Sequence, residues 1–172
     1  MTYQSSPAST GGLAPPRGLM LLYPNSIASP AVNAVLPWGT TQSLIGTLAA
    51  DSTVSGGKVT LPAGYWYLVD GSAQAVSSTF DANDQLQYQW HNETAYIGTR
   101  GRVAFNGTSS FALLSSYDER ALALVYAASA LTLSLRVLVN SGVTGANSIA
   151  ETQYTFAGFG RGVVYQLAGS AP

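Results

Sequence analysis

Leu131-Thr132-Leu133-Ser134-Leu135-Arg136-Val137-Leu138-Val139 is the stretch that decides the fold. Leu131, Leu133, Leu135, Val137 and Val139 recur at every second position, with Thr132, Ser134, Arg136 and Asn140 on the other parity. Only a strand collects such a set on one face, so one face is expected to be core and the other wet. Leu138 breaks the alternation on the wet side, which predicts that this face is partly covered by a neighbouring subunit.

The same period runs outward from there. Leu86, Tyr88 and Trp90 alternate with Gln85, Gln87 and Gln89, separating apolar groups from amides. Lys58-Val59-Thr60-Leu61 leads through the turn Pro62-Ala63-Gly64 into Tyr65-Trp66-Tyr67-Leu68-Val69, whose aromatic and branched residues favour strand. Further short runs lie at 95–98, 102–105, 111–114, 153–159 and 163–167, with Asn106-Gly107 and Gly160-Arg161-Gly162 as turn signals. Residues 121–130 are rich in helix-forming Ala and Leu, but Val125-Tyr126 and the short length favour strand. Many short runs at spacings of roughly ten residues predict an all-β, antiparallel jelly-roll β-sandwich.

Residues 1 to about 18 are rich in Ser, Thr, Gly and Pro, too polar to offset the entropy of ordering alone. Leu19-Met20-Leu21-Leu22-Tyr23 follows, then Pro24, Pro30 and Pro37, up to Trp38. This apolar but helix-hostile segment reads as an extended arm that orders against something else. The expected division is an attachment arm over 1–43, with Leu19, Met20, Leu21, Leu22, Tyr23 and Trp38 as its contacts, and a jelly-roll domain over 44–172.

Charged residues make up 9% of the 172, far below the roughly 25% of an average soluble domain, so little surface is defended by charge. Seven cations against eight anions, scattered along the chain, leave a net charge of -1 and exclude the basic stripe that nucleic-acid binding needs. There is no cysteine, which removes disulfides and thiolate metal sites. No run approaches the ~18 apolar residues of a membrane span, and no secretory signal is visible, so synthesis in the cytoplasm without membrane insertion is expected.

Catalytic motifs are scarce. His91 is the only histidine, which disposes of most triads and histidine-rich metal sites. The carboxylate pairs Asp81/Asp84 and Asp118/Glu119 fall in expected turns, where turn chemistry explains them better than glycoside hydrolysis or calcium binding. Asn92-Glu93-Thr94 and Asn106-Gly107-Thr108 match the glycosylation pattern, which matters only in a secretory pathway. No catalytic residue, metal or cofactor is expected. In Tyr65-Trp66-Tyr67 alternation sends Trp66 to the face opposite its neighbours, so one set must point away from the core. Tyr65, Tyr67, Gln87, Gln89, His91 and Arg136 are the expected subunit interface, or else a glycan-binding surface.

Val59-Thr60-Leu61-Pro62-Ala63-Gly64-Tyr65-Trp66-Tyr67-Leu68-Val69-Asp70-Gly71-Ser72-Ala73 resembles a strand common in tailed-phage virion proteins, where a Leu-Pro-Ala-Gly-aromatic segment opens a jelly roll. Tyr154-Thr155-Phe156-Ala157-Gly158-Phe159, followed by a last hydrophobic strand, is similar to the close of trimeric tumour-necrosis-factor-like and complement-like jelly rolls. Together the two cover about 58–167. The resemblance implies a non-enzymatic homotrimer in a phage particle. The expectation is a decoration or cement protein bound to the major capsid protein or another virion protein; the alternative is a fibre tip that recognises a host surface glycan. The absence of heptads, collagen-like repeats or a long shaft favours the first.

Overall fold

The computed structural model describes residues 18–25, 27–28, 30–73, 75–76, 84–105, 116–142, 145–146 and 162–167. In chain order the strands are β1 (Gly18–Pro24), β2 (Ile27–Ala28), β3 (Val35–Leu36), β4 (Trp38–Ile45), β5 (Thr53–Ser55), β6 (Lys58–Leu61), β7 (Tyr65–Gly71), β8 (Ala75–Val76), β9 (Gln85–His91), β10 (Tyr96–Phe105), β11 (Ser116–Glu119), β12 (Ala121–Ala127), β13 (Leu131–Ser141), β14 (Gly145–Ala146) and β15 (Gly162–Leu167). One helical turn, α1 (Leu48–Asp51), interrupts them. Every strand pairing is antiparallel.

The strands form two main sheets. One runs β12-β7-β15-β1-β4; the other runs β11-β10-β9-β13-β6-β5, with β3 alongside β13. A small third sheet holds β2, β14 and β8. Consecutive strands of the chain often lie in different sheets, as a jelly roll requires. Between the main sheets lies one core, with Met20, Leu22, Tyr67, Val69 and Val164 from the first and Val59, Leu86, Tyr88, Trp90, Leu133 and Leu135 from the second, all buried. Trp38 stacks on Trp90 inside it, with ring centroids 6.1 Å apart.

Local sequence explains the joints. Gly56 and Gly57 both have positive φ, +58° and +77°, and link the paired residues Ser55 and Lys58 in a two-residue hairpin. That geometry matches the right-handed twist of the flanking strands, and glycine adopts it without steric cost. At Gly98 (φ +70°) an added Cβ would collide with the carbonyl of Leu122 and lie 2.7 Å from Cα of Ala123. There β10 of one sheet approaches β12 of the other, and Thr99 Oγ1 accepts the Leu122 amide at 2.9 Å.

The arm expected over 1–43 is corrected from residue 18 onward. Met20 and Leu22 are fully buried, Trp38 is 5% exposed, and β1 lies inside its sheet between β15 and β4. Residues 30–36 occupy an edge of β13: the amide of Asn33 donates to the Val137 carbonyl at 2.8 Å, and Asn140 Nδ2 donates to the Pro30 carbonyl at 2.9 Å. The prolines separate short strands rather than excluding them, Pro24 closing β1 and Pro37 dividing β3 from β4. Each fully buried Met or Leu contributes about 1.5–3 kcal/mol over exposure, so this segment belongs to the domain. Residues 1–17 lie outside the described residues.

The strand at 131–139 also differs from its simple reading. Leu131, Leu133, Leu135 and Val137 face the core side as expected, but the pairing with β9 shifts between Val137 and Val139. Leu138 is the extra residue of a β-bulge. Past it the parity inverts: Val139 pairs with Gln87 on the outer face, and Asn140 pairs with the buried Leu86. The bulge, rather than a covering subunit, accounts for the break in alternation at Leu138.

Candidate functional site on the sandwich faces

Each main sheet turns one face to the core and one away from it, and the two outer faces differ in chemistry. On the five-stranded sheet, Trp66 and Leu68 of β7 lie opposite Tyr126 and Leu124 of β12. The rings of Trp66 and Tyr126 are 5.4 Å apart. Leu124 is 61% exposed and Leu122 40%. Leu19, Leu21 and Tyr23 continue the outer face on β1, half-buried, with Tyr23 Oη donating to Gln42 Oε1 at 2.6 Å. The polar group at the β7 end is Asp70, whose Oδ1 lies 2.8 Å from Arg120 Nε. Burial pushes the Asp70 carboxyl above its usual range, and the Arg120 guanidinium opposes that shift.

The outer face of the other sheet is polar. Antiparallel register places residues in cross-strand rungs. Tyr96, His91 and Ser134 form one rung; Arg100, Gln89 and Arg136 form the next; Arg102, Gln87 and Val139 form a third. The hairpin joining β9 to β10 is held locally. Asn92 Oδ1 accepts the amides of Thr94 and Ala95, at 3.2 and 2.8 Å, and His91 Nδ1 accepts the Glu93 amide at 3.0 Å. Glu93 itself has φ +69°, a strained backbone for a non-glycine residue. Its carboxylate collects Lys58 Nζ at 2.6 Å and a terminal guanidinium nitrogen of Arg136 at 3.1 Å. Arg136 Nε donates to Ser134 Oγ at 3.1 Å, completing the cluster. The Lys58 hydrogen bond holds Glu93 below the usual carboxylate range, with Arg136 adding to it. Burial lowers His91 below its ordinary value, and the Arg136 charge acts in the same direction.

Gln87, Gln89, His91 and Arg136 are brought together on the polar outer face. Leu19, Leu21 and Tyr23 lie on the apolar outer face, whereas Met20, Leu22 and Trp38 are core. Tyr67 is corrected: it is fully buried, its hydroxyl donating to the Pro62 carbonyl at 2.8 Å, and Tyr65 packs on it from the core side. The outward member of the triplet is Trp66. Alternation already demanded that one set face outward; what it lacked was the partner strand, which supplies Tyr126 and Leu124. Arg100 and Arg102 were missed: they share one parity two residues apart, but only the register with β9 sets that parity beside Gln89 and Gln87 on the outer face. Asp84 is buried, and Asp81 lies outside the described residues. Among the described residues no three His, Asp or Glu side chains converge as metal ligands would.

Set against solved structures, the sandwich is similar to the structure of Eiger TNF from S. frugiperda, with a TM-score of 0.52 over 91% of this chain and 96% of that one. The fold is a tumour-necrosis-factor-like jelly roll. Sequence identity across the match is 14%, so the likeness concerns the fold. No protein-family model matches the sequence, and no curated protein matches it.

Proposed function

We propose that the chain is a non-enzymatic structural subunit that assembles as a homotrimer and decorates a bacteriophage particle, cementing its shell. The observation that carries the assembly is the exposed apolar row of Leu122 and Leu124 beside the Trp66–Tyr126 ring pair, on one face of one sheet. Contiguous exposed apolar surface on a soluble domain marks an interaction site, and aromatic residues are enriched at the centre of such sites. The likeness to a tumour-necrosis-factor-like fold supports the homotrimer, and the resemblance at Val59–Ala73 supports the phage setting. The Pro, Ser and Gly-rich residues 1–17 serve as the shell attachment, a narrower segment than residues 1–43.

Sedimentation of the full chain tests the assembly. A species of three times 17.9 kDa is expected, falling to a folded single chain in Leu124→Arg. A monomer at all concentrations would overturn the trimer. Deleting residues 2–17 is expected to abolish association with purified particles while leaving the trimer; unchanged association would overturn the attachment role. A copy number in the hundreds per particle is expected for a decoration protein, and a few per particle would point to a tail fibre instead.

A further inference from the structure

We infer that the outer face of the β9–β10–β13 sheet is a docking strip for an acidic, carboxylate-bearing polysaccharide, gripped by Arg100 and Arg102 between the amides of Gln87 and Gln89. The strip lies on the sheet opposite the apolar face, so it stands whether or not the chain forms a trimer.

The register builds it. Arg100 and Arg136 flank Gln89 in one rung, and Arg102 sits beside Gln87 in the next. Neighbouring strands are about 4.8 Å apart and same-face residues along a strand about 6.7 Å, so these groups repeat on the scale of a sugar chain laid across the strands. Four of the chain's seven cations, Lys58, Arg100, Arg102 and Arg136, belong to this face. Two of the four are already engaged by Glu93. Arg100 and Arg102 are exposed and make no ion pair among the described residues, although Glu119 lies opposite Arg102 on β11.

The chemistry around them selects the partner. Planar guanidinium groups bind carboxylates bidentately, which gives direction as well as charge. Gln87 Nε2 donates to Gln85 Oε1 at 3.0 Å and Gln89 Nε2 to the Gly98 carbonyl at 2.7 Å. These bonds fix the amides through their N–H groups and leave the Oε1 atoms to accept sugar hydroxyls. One rung further, the Tyr96 and His91 rings meet edge to face at 4.9 Å, an aromatic ledge suited to the apolar face of a sugar ring. A nucleic acid fits less well: two uncommitted guanidinium groups on a chain of net charge -1 provide little of the phosphate neutralisation it requires.

Titration of the full chain with polygalacturonate oligomers, neutral dextran and a single-stranded oligonucleotide tests the inference. Polygalacturonate is expected to bind, and Arg100→Gln and Arg102→Gln each to weaken it by about tenfold, the scale of one lost charge-assisted hydrogen bond. Arg100→Lys keeps the charge without the fork and is expected to fall between. Leu124→Arg, on the opposite sheet, is expected to bind per chain as the parent does. Thermal melts matching the parent confirm that the glutamine variants are folded. No polygalacturonate binding, parent-like binding by both glutamine variants, dextran binding as tight as polygalacturonate's, or tighter binding of the oligonucleotide would each overturn it.

Discussion

The indole N–H of Trp90 donates to the carbonyl of Ala121 at 3.0 Å, from β9 in one sheet to β12 in the other. Two residues earlier the Tyr88 hydroxyl reaches the carbonyl of Glu119, the last residue of β11 in its own sheet, at 2.9 Å. The largest core rings of β9 therefore satisfy carbonyls on both sides of Arg120 while filling the space between the sheets. Trp90→Phe should keep most of the apolar filling but leave the Ala121 carbonyl unpaired, at a cost of about 1–3 kcal/mol. Trp90→Ala should cost about 3–5 kcal/mol. Equilibrium denaturant unfolding separates the two, and a Trp90→Phe stability equal to the parent's would show that the hydrogen bond contributes nothing.

Two glycines with similar φ should respond differently to alanine. At Gly56 (φ +58°) an added Cβ meets nothing within 4 Å, so only the left-handed backbone penalty of about 1–2 kcal/mol applies. At Gly98 (φ +70°) the same methyl strikes the β12 backbone, adding an overpacking cost of about 1–3 kcal/mol. Thermal melting of Gly98→Ala should therefore fall well below that of Gly56→Ala.

Acidification should destabilise the domain in two stages. His91 has a folded pKa below its ordinary 6.5, so the unfolded chain takes up a proton first and stability declines as the pH drops through 6.5 toward the folded value. Glu93 is held below its ordinary 4.5, so its contribution is complete above 4.5 and is lost as the pH falls through its lower folded value. Melting temperatures from pH 8 to 3 should lose the upper limb in His91→Gln and flatten the lower limb in Glu93→Gln. Asp70, raised from its ordinary 3.8, works in the opposite sense just above that pH.

If self-association covers Leu122 and Leu124, the melting temperature of the parent chain should rise with protein concentration, since assembly stabilises the folded state by mass action. Leu124→Arg should abolish that dependence. Scanning calorimetry over a hundredfold concentration range is sufficient.

Much of this architecture was legible in the sequence because β periodicity is local. The alternation at 85–90 placed Trp90 inside and His91 on the polar face, and Leu131 to Val137 gave the core side of β13. Partners were not legible. β1 is hydrogen-bonded to a strand more than 120 residues away, between Met20 and Val164 for instance, and nothing in Leu19–Tyr23 names that strand. An apolar run punctuated by prolines therefore looked like an arm. The choice between Trp66 and Tyr67 as the outward residue likewise depended on which face β12 and β15 share, and the Glu93 cluster draws on Lys58, His91 and Arg136 from three separate strands.

The bulge at Leu138 splits β13 into two stretches under opposite selection. Before it, odd-numbered positions answer to the core; after it, they answer to the outer surface. A regular strand through Leu138, with no bulge, would carry the same residues in the same order, yet turn Val139 inward and expose Asn140, severing its tie to Pro30. Sequence drift on the two sides of that single residue can therefore proceed independently, one end conserving the fold while the other is at liberty to change what the surface meets.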